Sequence, residues 1–217
     1  MHVDFWTPVQ LSLEVAAISV SVVAILGIIL ARLMARARFF GKTAVETFLT
    51  LPLVLPPTVV GFLLIIIFGI NSPIGTFIEI TFNHTIMFTW WAAVIASTVV
   101  AFPLMYQSAK TGFQSIDRGI EEAARVDGAG EFRLFFTITL PLSLKSIING
   151  AILSFARALG EFGATLMFAG NLPGKTQTAP TAIYMAIESG NLEIAWLWVI
   201  VMIGISFLML LAASVLK

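Results

Sequence analysis

Four times along this chain an uncharged, apolar run continues for about twenty residues, and that recurrence limits the fold more than any motif does. The runs cover residues 15–31, 47–70, 85–106 and 194–216. A helix of roughly 20 residues crosses the hydrocarbon core of a bilayer. Inside lipid the backbone has to satisfy its own hydrogen bonds, so such runs read as membrane helices. Composition agrees: 59% of the 217 residues are hydrophobic and only 11% are charged, with a mean hydropathy of +0.99. A soluble domain carries nearer a quarter charged residues. The expected fold is all-α, a polytopic integral protein of the cell membrane with five to six transmembrane helices. Residues 1–217 are read as one transmembrane domain.

Net charge is zero, which gives no basis for a nucleic-acid partner, so charge is informative by position. Arg32, Arg36, Arg38 and Lys42 crowd the loop after the first run, and Lys110, Arg118, Arg125, Arg133 and Lys145 follow the third. With Lys217, ten of the twelve Lys and Arg fall on one side, against Lys175 on the other and Arg157 within a span. The positive-inside rule then puts the N-terminus outside and the C-terminus inside. A short uncharged segment, 176–187, reads as re-entrant or interfacial; if it crosses as a sixth span, one terminus changes side. No basic region precedes the first run and no cleavage signal follows it, so it is expected to be retained. Trp90, Trp91, Trp196 and Trp198 are expected at the outer interface. The absence of cysteine excludes disulfides, thiolate metal sites and cysteine nucleophiles, and no metal site is expected.

Two spans contain disruptive residues. Pro52, Pro56 and Pro57 each remove an amide donor from the second span, which should kink or break there. The break either faces a pathway or serves packing. Pro103 should bend the inner end of the third span. A fourth crossing, 146–172, carries Arg157 and Glu161 in its middle, an expensive placement unless the two pair. Residues 71–84 hold turn signals and form an outer loop with a short interfacial helix.

The most polar stretch is 117–141. Asp117 can cap a helix through Ile120, Glu121, Ala123, Ala124 and Arg125, which Gly128 and Gly130 end. A second short helix starts near Glu131 and leads through Phe132, Phe135 and Phe136 to Leu140 and Pro141. Taken alone, this is a pair of surface helices or an amphipathic loop resting on the membrane. The spacing is more specific. Glu122, Ala123 and Ala124, then Gly128 after three residues, Ile138 after nine more, and Leu140 with Pro141 resemble the EAA signature of the permease subunits of ABC importers. The resemblance implies that this cytoplasmic loop, about 112–141, forms coupling helices that dock on a separate ATPase subunit through Glu122, Ala123, Ala124 and Gly128.

A second resemblance is narrower. RALGEFGATLMFAGN from Arg157, followed by LPGKTQTAPTAIY, together with LPLVLPPTVVGF from Leu51, is similar to permeases of molybdate and tungstate importers, with sulfate and thiosulfate permeases as relatives. It implies a non-catalytic membrane subunit that works with ATP-binding cassette subunits, an extracytoplasmic molybdate- or tungstate-binding protein and a second copy of itself, set in membrane lipid. Arg157 and Glu161, four apart, are either an ion pair locking the bundle, the favoured reading, or an attraction for a dianion in the pathway. Gly160, Gly163 and Gly170 favour close helix approach. Residues 170–176 read G-x-x-x-G-K-T, one residue short of a phosphate-binding P-loop and following no strand, so this chain is expected to bind no cofactor and to leave ATP to its partner. Asn171, Lys175, Thr176 and Gln177 are candidate contacts for the binding protein. A secondary transporter would call for ion-coupling carboxylates in the spans, where Glu161 is the sole example; a hydrolase would call for histidine at membrane depth, and His2 and His84 lie outside the spans.

Overall fold

A computed structural model describes residues 5–215 of the chain. Three helices are long and apolar enough to cross a membrane: α1 (Trp6–Ala35), α5 (Trp90–Gln114) and α12 (Leu192–Val215). Two more crossings are assembled from bent pieces, giving five at most. In the first, α2 (Lys42–Thr50) and a 3₁₀ turn (Leu51–Leu53) meet α3 (Pro57–Phe68) at 111°. In the second, α7 (Glu131–Leu134), a π-helical turn (Phe135–Thr139) and α8 (Leu140–Leu142) meet α9 (Leu144–Leu159) at 70°. Short helices complete the order: α4 (Pro73–Phe82), α6 (Arg118–Val126), α10 (Gly163–Phe168) and α11 (Ala179–Glu188). Lys217, expected inside, and His2 lie outside the described residues.

The centre is a bundle of α1, α5 and α9, built on small residues. Ala16, Ser19, Val23, Gly27 and Ala31 recur at three- and four-residue spacing and are all buried. A Cβ at Gly27 would sit 2.9 Å from Met105 Cγ, so its absence lets α1 reach α5. Lipid supplies no hydrophobic drive for helix association, and close backbone approach with interhelical hydrogen bonds replaces it. Ser19 Oγ donates to the Val94 carbonyl at 3.0 Å and Ser154 Oγ to that of Ala101 at 3.3 Å.

Several expectations are corrected. The first helix begins at Trp6 rather than near residue 15, because Pro8 falls in its first turn, where no amide donor is needed, and Glu14 points outward to accept from Gln10 at 2.9 Å. The third span starts at Trp90 and reaches Gln114, later at both ends than 85–106, with Pro103 inside the helix. The fourth crossing is interrupted: α9 stops at Leu159 and α10 starts at Gly163, so Glu161 lies in a break and not within a helix. α11 is one-sided, with Thr181, Ala182 and Ala186 buried and Tyr184, Met185 and Ile187 exposed, and its first amide, of Ala179, donates to Ser12 Oγ at 2.7 Å. Trp196 is exposed as an interfacial tryptophan should be. Trp198 is buried; it stacks on Phe5 at 6.0 Å and donates to the Phe5 carbonyl at 2.8 Å.

The two helix breaks lie against each other. Gly163 approaches Pro57, where an added Cβ would be 3.1 Å from Pro57 Cβ, and Gly61 faces the Ala164 backbone at 3.0 Å. α3 and α10 thus pack as a pair of half-helices beside the central bundle.

Candidate functional site

The polar stretch folds as its local signals require. Asp117 Oδ1 accepts from the Gly119 amide at 2.8 Å and caps α6. The helix ends in a Schellman motif, with the Ala129 amide bonded to the Ala124 carbonyl and that of Gly128 to Arg125, both at 3.0 Å. Gly128 has φ +87°, a left-handed conformation strained for any other L-residue, yet nothing lies within 4 Å of where its Cβ would be. Glycine is needed here for torsion and not for space. The chain then enters α7 through Gly130. Arg125 Nε bonds Glu131 Oε1 at 2.6 Å across the turn, and this hydrogen bond lowers the Glu131 carboxyl below its ordinary pKa.

The outward face of α6 presents Glu122 and Ala123, with Ala124 half-buried. Beside them Val126 is 86% and Phe132 80% exposed. Apolar side chains this open, rimmed by charge, suit contact with another protein or with the membrane surface. The inward face is ionic. Glu121 is fully buried, held by Arg32 Nη1 and Arg36 Nη1, each at 3.0 Å, and it accepts from Thr139 Oγ1 at 3.1 Å. Arg32 also faces the Phe135 ring at 6.0 Å, and Arg36 Nη2 donates to the Ile116 carbonyl at 3.2 Å. The end of α1 is therefore fastened to α6, to the loop before it and to the π turn after it. Sequence reasoning credited Arg32 and Arg36 with orienting the chain and missed this clamp. The available signal was the spacing: two arginines one turn apart at a helix end match the Glu121–Glu122 pair, of which only one can face outward.

The second polar constellation sits in the break of the fourth crossing. Arg157 Nη1 meets Glu161 Oε2 at 2.8 Å, while Glu161 Oε1 accepts from the Ala164 amide at 2.8 Å. The Glu161 side chain is 1% exposed, that of Arg157 29%. Both carboxylate oxygens are engaged: one holds α9 and the other caps α10, favouring the structural reading of the pair. Pro52, Pro56 and Pro57 lie in or beside the other break, where Pro56 has extended backbone and Pro57 opens α3.

In the 171–180 loop, three successive amides, of Lys175, Thr176 and Gln177, turn onto the Leu172 carbonyl at 2.9–3.2 Å. Thr176 is buried and its Oγ1 accepts from the Leu172 amide at 3.0 Å, so it shapes the loop and offers nothing outward. Lys175 is exposed; Asn171 and Gln177 are half-buried.

Residues 24–217 match the family described as "Binding-protein-dependent transport system inner membrane component". YvgM of Bacillus subtilis (strain 168), provisionally named a molybdenum transport system permease protein, is 63% identical over 207 residues, covering 95% of this chain and 91% of the relative. The molybdenum transport system permease protein ModB of Escherichia coli (strain K12) is 46% identical over 184 residues, 85% of this chain and 80% of its own. Among solved structures, a bacterial alginate ABC transporter in complex with its pentasaccharide-bound periplasmic protein superposes with a TM-score of 0.76 at 18% identity, over 95% of this chain and 76% of that one. An inward-facing MetNI methionine ABC transporter gives 0.69 at 16%, over 97% and 91%. At such identities the structures speak for the fold alone.

Proposed function

Because this chain belongs to the binding-protein-dependent transport system inner membrane component family, we propose that it is the permease subunit of an ATP-driven importer carrying molybdate, or the similarly sized and charged tungstate, across the cell membrane. It is a multi-pass membrane protein and a non-catalytic subunit. Its relatives named for molybdenum support the cargo and give the sulfate alternative no support.

The observation that carries the reading is the two-faced α6. Its inner face is tied to α1 through a buried carboxylate, whereas its outer face leaves Glu122, Ala123 and Val126 open, beside the exposed Phe132 of α7. A helix fastened on one side and unoccupied on the other suits a part that receives force from a partner. In this reading ATP-binding cassette subunits dock on Glu122, Ala123 and Ala124, with Gly128 setting the turn beside them, and they alone bind ATP. Two copies of the chain form the translocating unit in the lipid, and an extracytoplasmic binding protein delivers the anion onto the 171–177 loop, mainly at Lys175, with Asn171 and Gln177 beside it. Arg157 and Glu161 hold the broken span together.

The test is uptake of labelled molybdate by vesicles containing the complete transporter, with excess tungstate or sulfate as competitor. Tungstate should suppress uptake and sulfate should not; absence of ATP-dependent molybdate uptake refutes the assignment. Glu122→Lys should abolish copurification of the ATPase while the permease still inserts.

A further inference from the structure

α5 and α9 cross so closely that each offers a glycine to a serine of the other. A Cβ at Gly112 would be 2.7 Å from Ser146 Cβ, and one at Gly150 would be 2.7 Å from Ser108 Cβ. Along this seam lies a cleft of about 270 Å³ lined by Gln107, Ser108, Thr111, Ser146 and Asn149. One water needs roughly 10–15 Å³ of such space. Elsewhere in the bundle several hydroxyls close on carbonyls, as Ser12, Ser19, Ser21 and Ser154 do, while Thr98 Oγ1 and Tyr106 Oη of α5 are buried without a hydrogen bond. Within the described residues none of the five cleft side chains makes a hydrogen bond inside the chain. Their open donors face the cleft, in contrast to the outward face of α12, where Ile200, Ile203 and Phe207 are apolar.

Neither α5 nor α9 carries an Asp or Glu. Of the cations on them, Lys110 is paired with Glu46 of α2 at 2.6 Å and Arg157 with Glu161 at 2.8 Å. The cleft wall itself is uncharged. Gln107 and Thr111 lie sixteen and twenty residues beyond Trp91, which at 1.5 Å per residue is roughly 24–30 Å along the helix, close to the inner edge of the hydrocarbon core.

We infer that this cleft, between the inner ends of α5 and α9, is the inner mouth of the anion's route, and that its five hydroxyl and amide side chains are the donors a tetrahedral oxyanion meets on leaving. The inference rests on the transport reading above and adds to it where the cargo passes. A route has to bind well enough to admit and weakly enough to release. Neutral donors hold an oxyanion by single hydrogen bonds without the bidentate ion pairing that an arginine would add, and a wall without carboxylates does not repel it. Arg157, whose charge is matched by Glu161, would not trap the anion on the way.

The chain contains no cysteine, so single replacements can be read without background. In the complete transporter reconstituted in vesicles, Thr111→Cys and Asn149→Cys should react with a small anionic methanethiosulfonate reagent, and Phe207→Cys on the apolar face should react at least tenfold more slowly. Labelling of the Asn149→Cys variant should reduce molybdate uptake at least tenfold. Asn149→Asp, which keeps the shape and adds a negative charge, should do the same; ATPase copurification checks assembly throughout. The inference is overturned if the introduced thiols react but labelling and Asn149→Asp leave uptake within twofold, the result for a groove that merely opens to water. It is equally overturned if the Asn149→Cys variant is unreactive and instead cross-links to its counterpart in a second copy, the result for a dry dimer seam. Failure of unmodified protein to import molybdate would count against the cargo alone, since the labelling rates still report whether the cleft is wet.

Discussion

Replacing Glu121 by glutamine tests the clamp between α1 and α6 with almost no change in shape. The substitution removes the shared anchor that Arg32 and Arg36 contact at 3.0 Å and leaves only the exposed Glu131, 3.8 Å from Arg32 Nη2, to offset their charge. Removing one partner of a fully buried ion pair costs about 3–5 kcal/mol. Here the carboxylate is buried, but the arginine side chains are 20% and 26% exposed, and solvent will screen part of the repulsion. The amide can also still accept from Thr139. A cost of about 2 kcal/mol for keeping α6 docked is the appropriate scale. At 1.4 kcal/mol per tenfold, that raises the undocked population about 30-fold. Limited trypsin digestion reads this directly, because Arg118 and Arg125 lie on α6 and cleavage follows the open population when reclosing is fast. Glu121→Gln should be cut about 30-fold faster than the parent chain, and Glu122→Gln, one residue away but exposed, within twofold of it. Equal rates for the two variants would refute the claim that Glu121 carries the attachment. In the assembled transporter the same change should raise the ATP hydrolysed per anion moved, because the partner would drive a helix no longer fixed to α1.

Three further outcomes are expected. Gly61→Val should lower the thermal midpoint in detergent, by the roughly 1–3 kcal/mol of an overpacked contact, since its Cβ would lie 2.9 Å from Met167 Cβ and 3.0 Å from the Ala164 backbone; Gly204→Val, with open space around it, should not. Arg157→Ala and Glu161→Ala should both reduce folded yield more than anion preference, with Glu161→Ala the more damaging because it also removes the cap of α10, worth about 1 kcal/mol; a stable variant with selectively lost transport would reverse this. Glu131, whose pKa is lowered mainly by the hydrogen bond from Arg125, stabilises the folded chain at pH values above the ordinary carboxylate range, and that contribution is lost as pH falls through its lowered value. The difference in melting temperature between parent and Glu131→Gln should therefore be present at pH 7 and shrink below about pH 4.3.

The helix pair at 118–134 was legible because its determinants are local: an aspartate cap, a glycine that permits positive φ, and a glycine entry to the next helix. What sequence could not supply was long-range. Which of Glu121 and Glu122 turns inward depends on where α1 ends, and α1 runs to Ala35. The break after Leu159 is hidden because Arg157 and Glu161, four residues apart, read equally well as an ion pair on one face of a continuous helix. A glycine there is ambiguous until α3 is seen packed against α10. Trp196 and Trp198 look alike in sequence, yet two residues on a helix point to different sides, and only Trp198 meets Phe5. Thr176 resembled its polar neighbours, and the turn onto the Leu172 carbonyl buried it.

A substituent on Gly128 would collide with nothing, so the requirement for glycine at that position is one of handedness. A D-alanine introduced at 128 by chemical ligation would take φ +87° in its favoured region and should preserve the surface, whereas L-alanine, with the same atoms, should disturb it. In the proposed docking, a partner would meet beside Glu122 and Ala123 the mirror sense of one backbone turn.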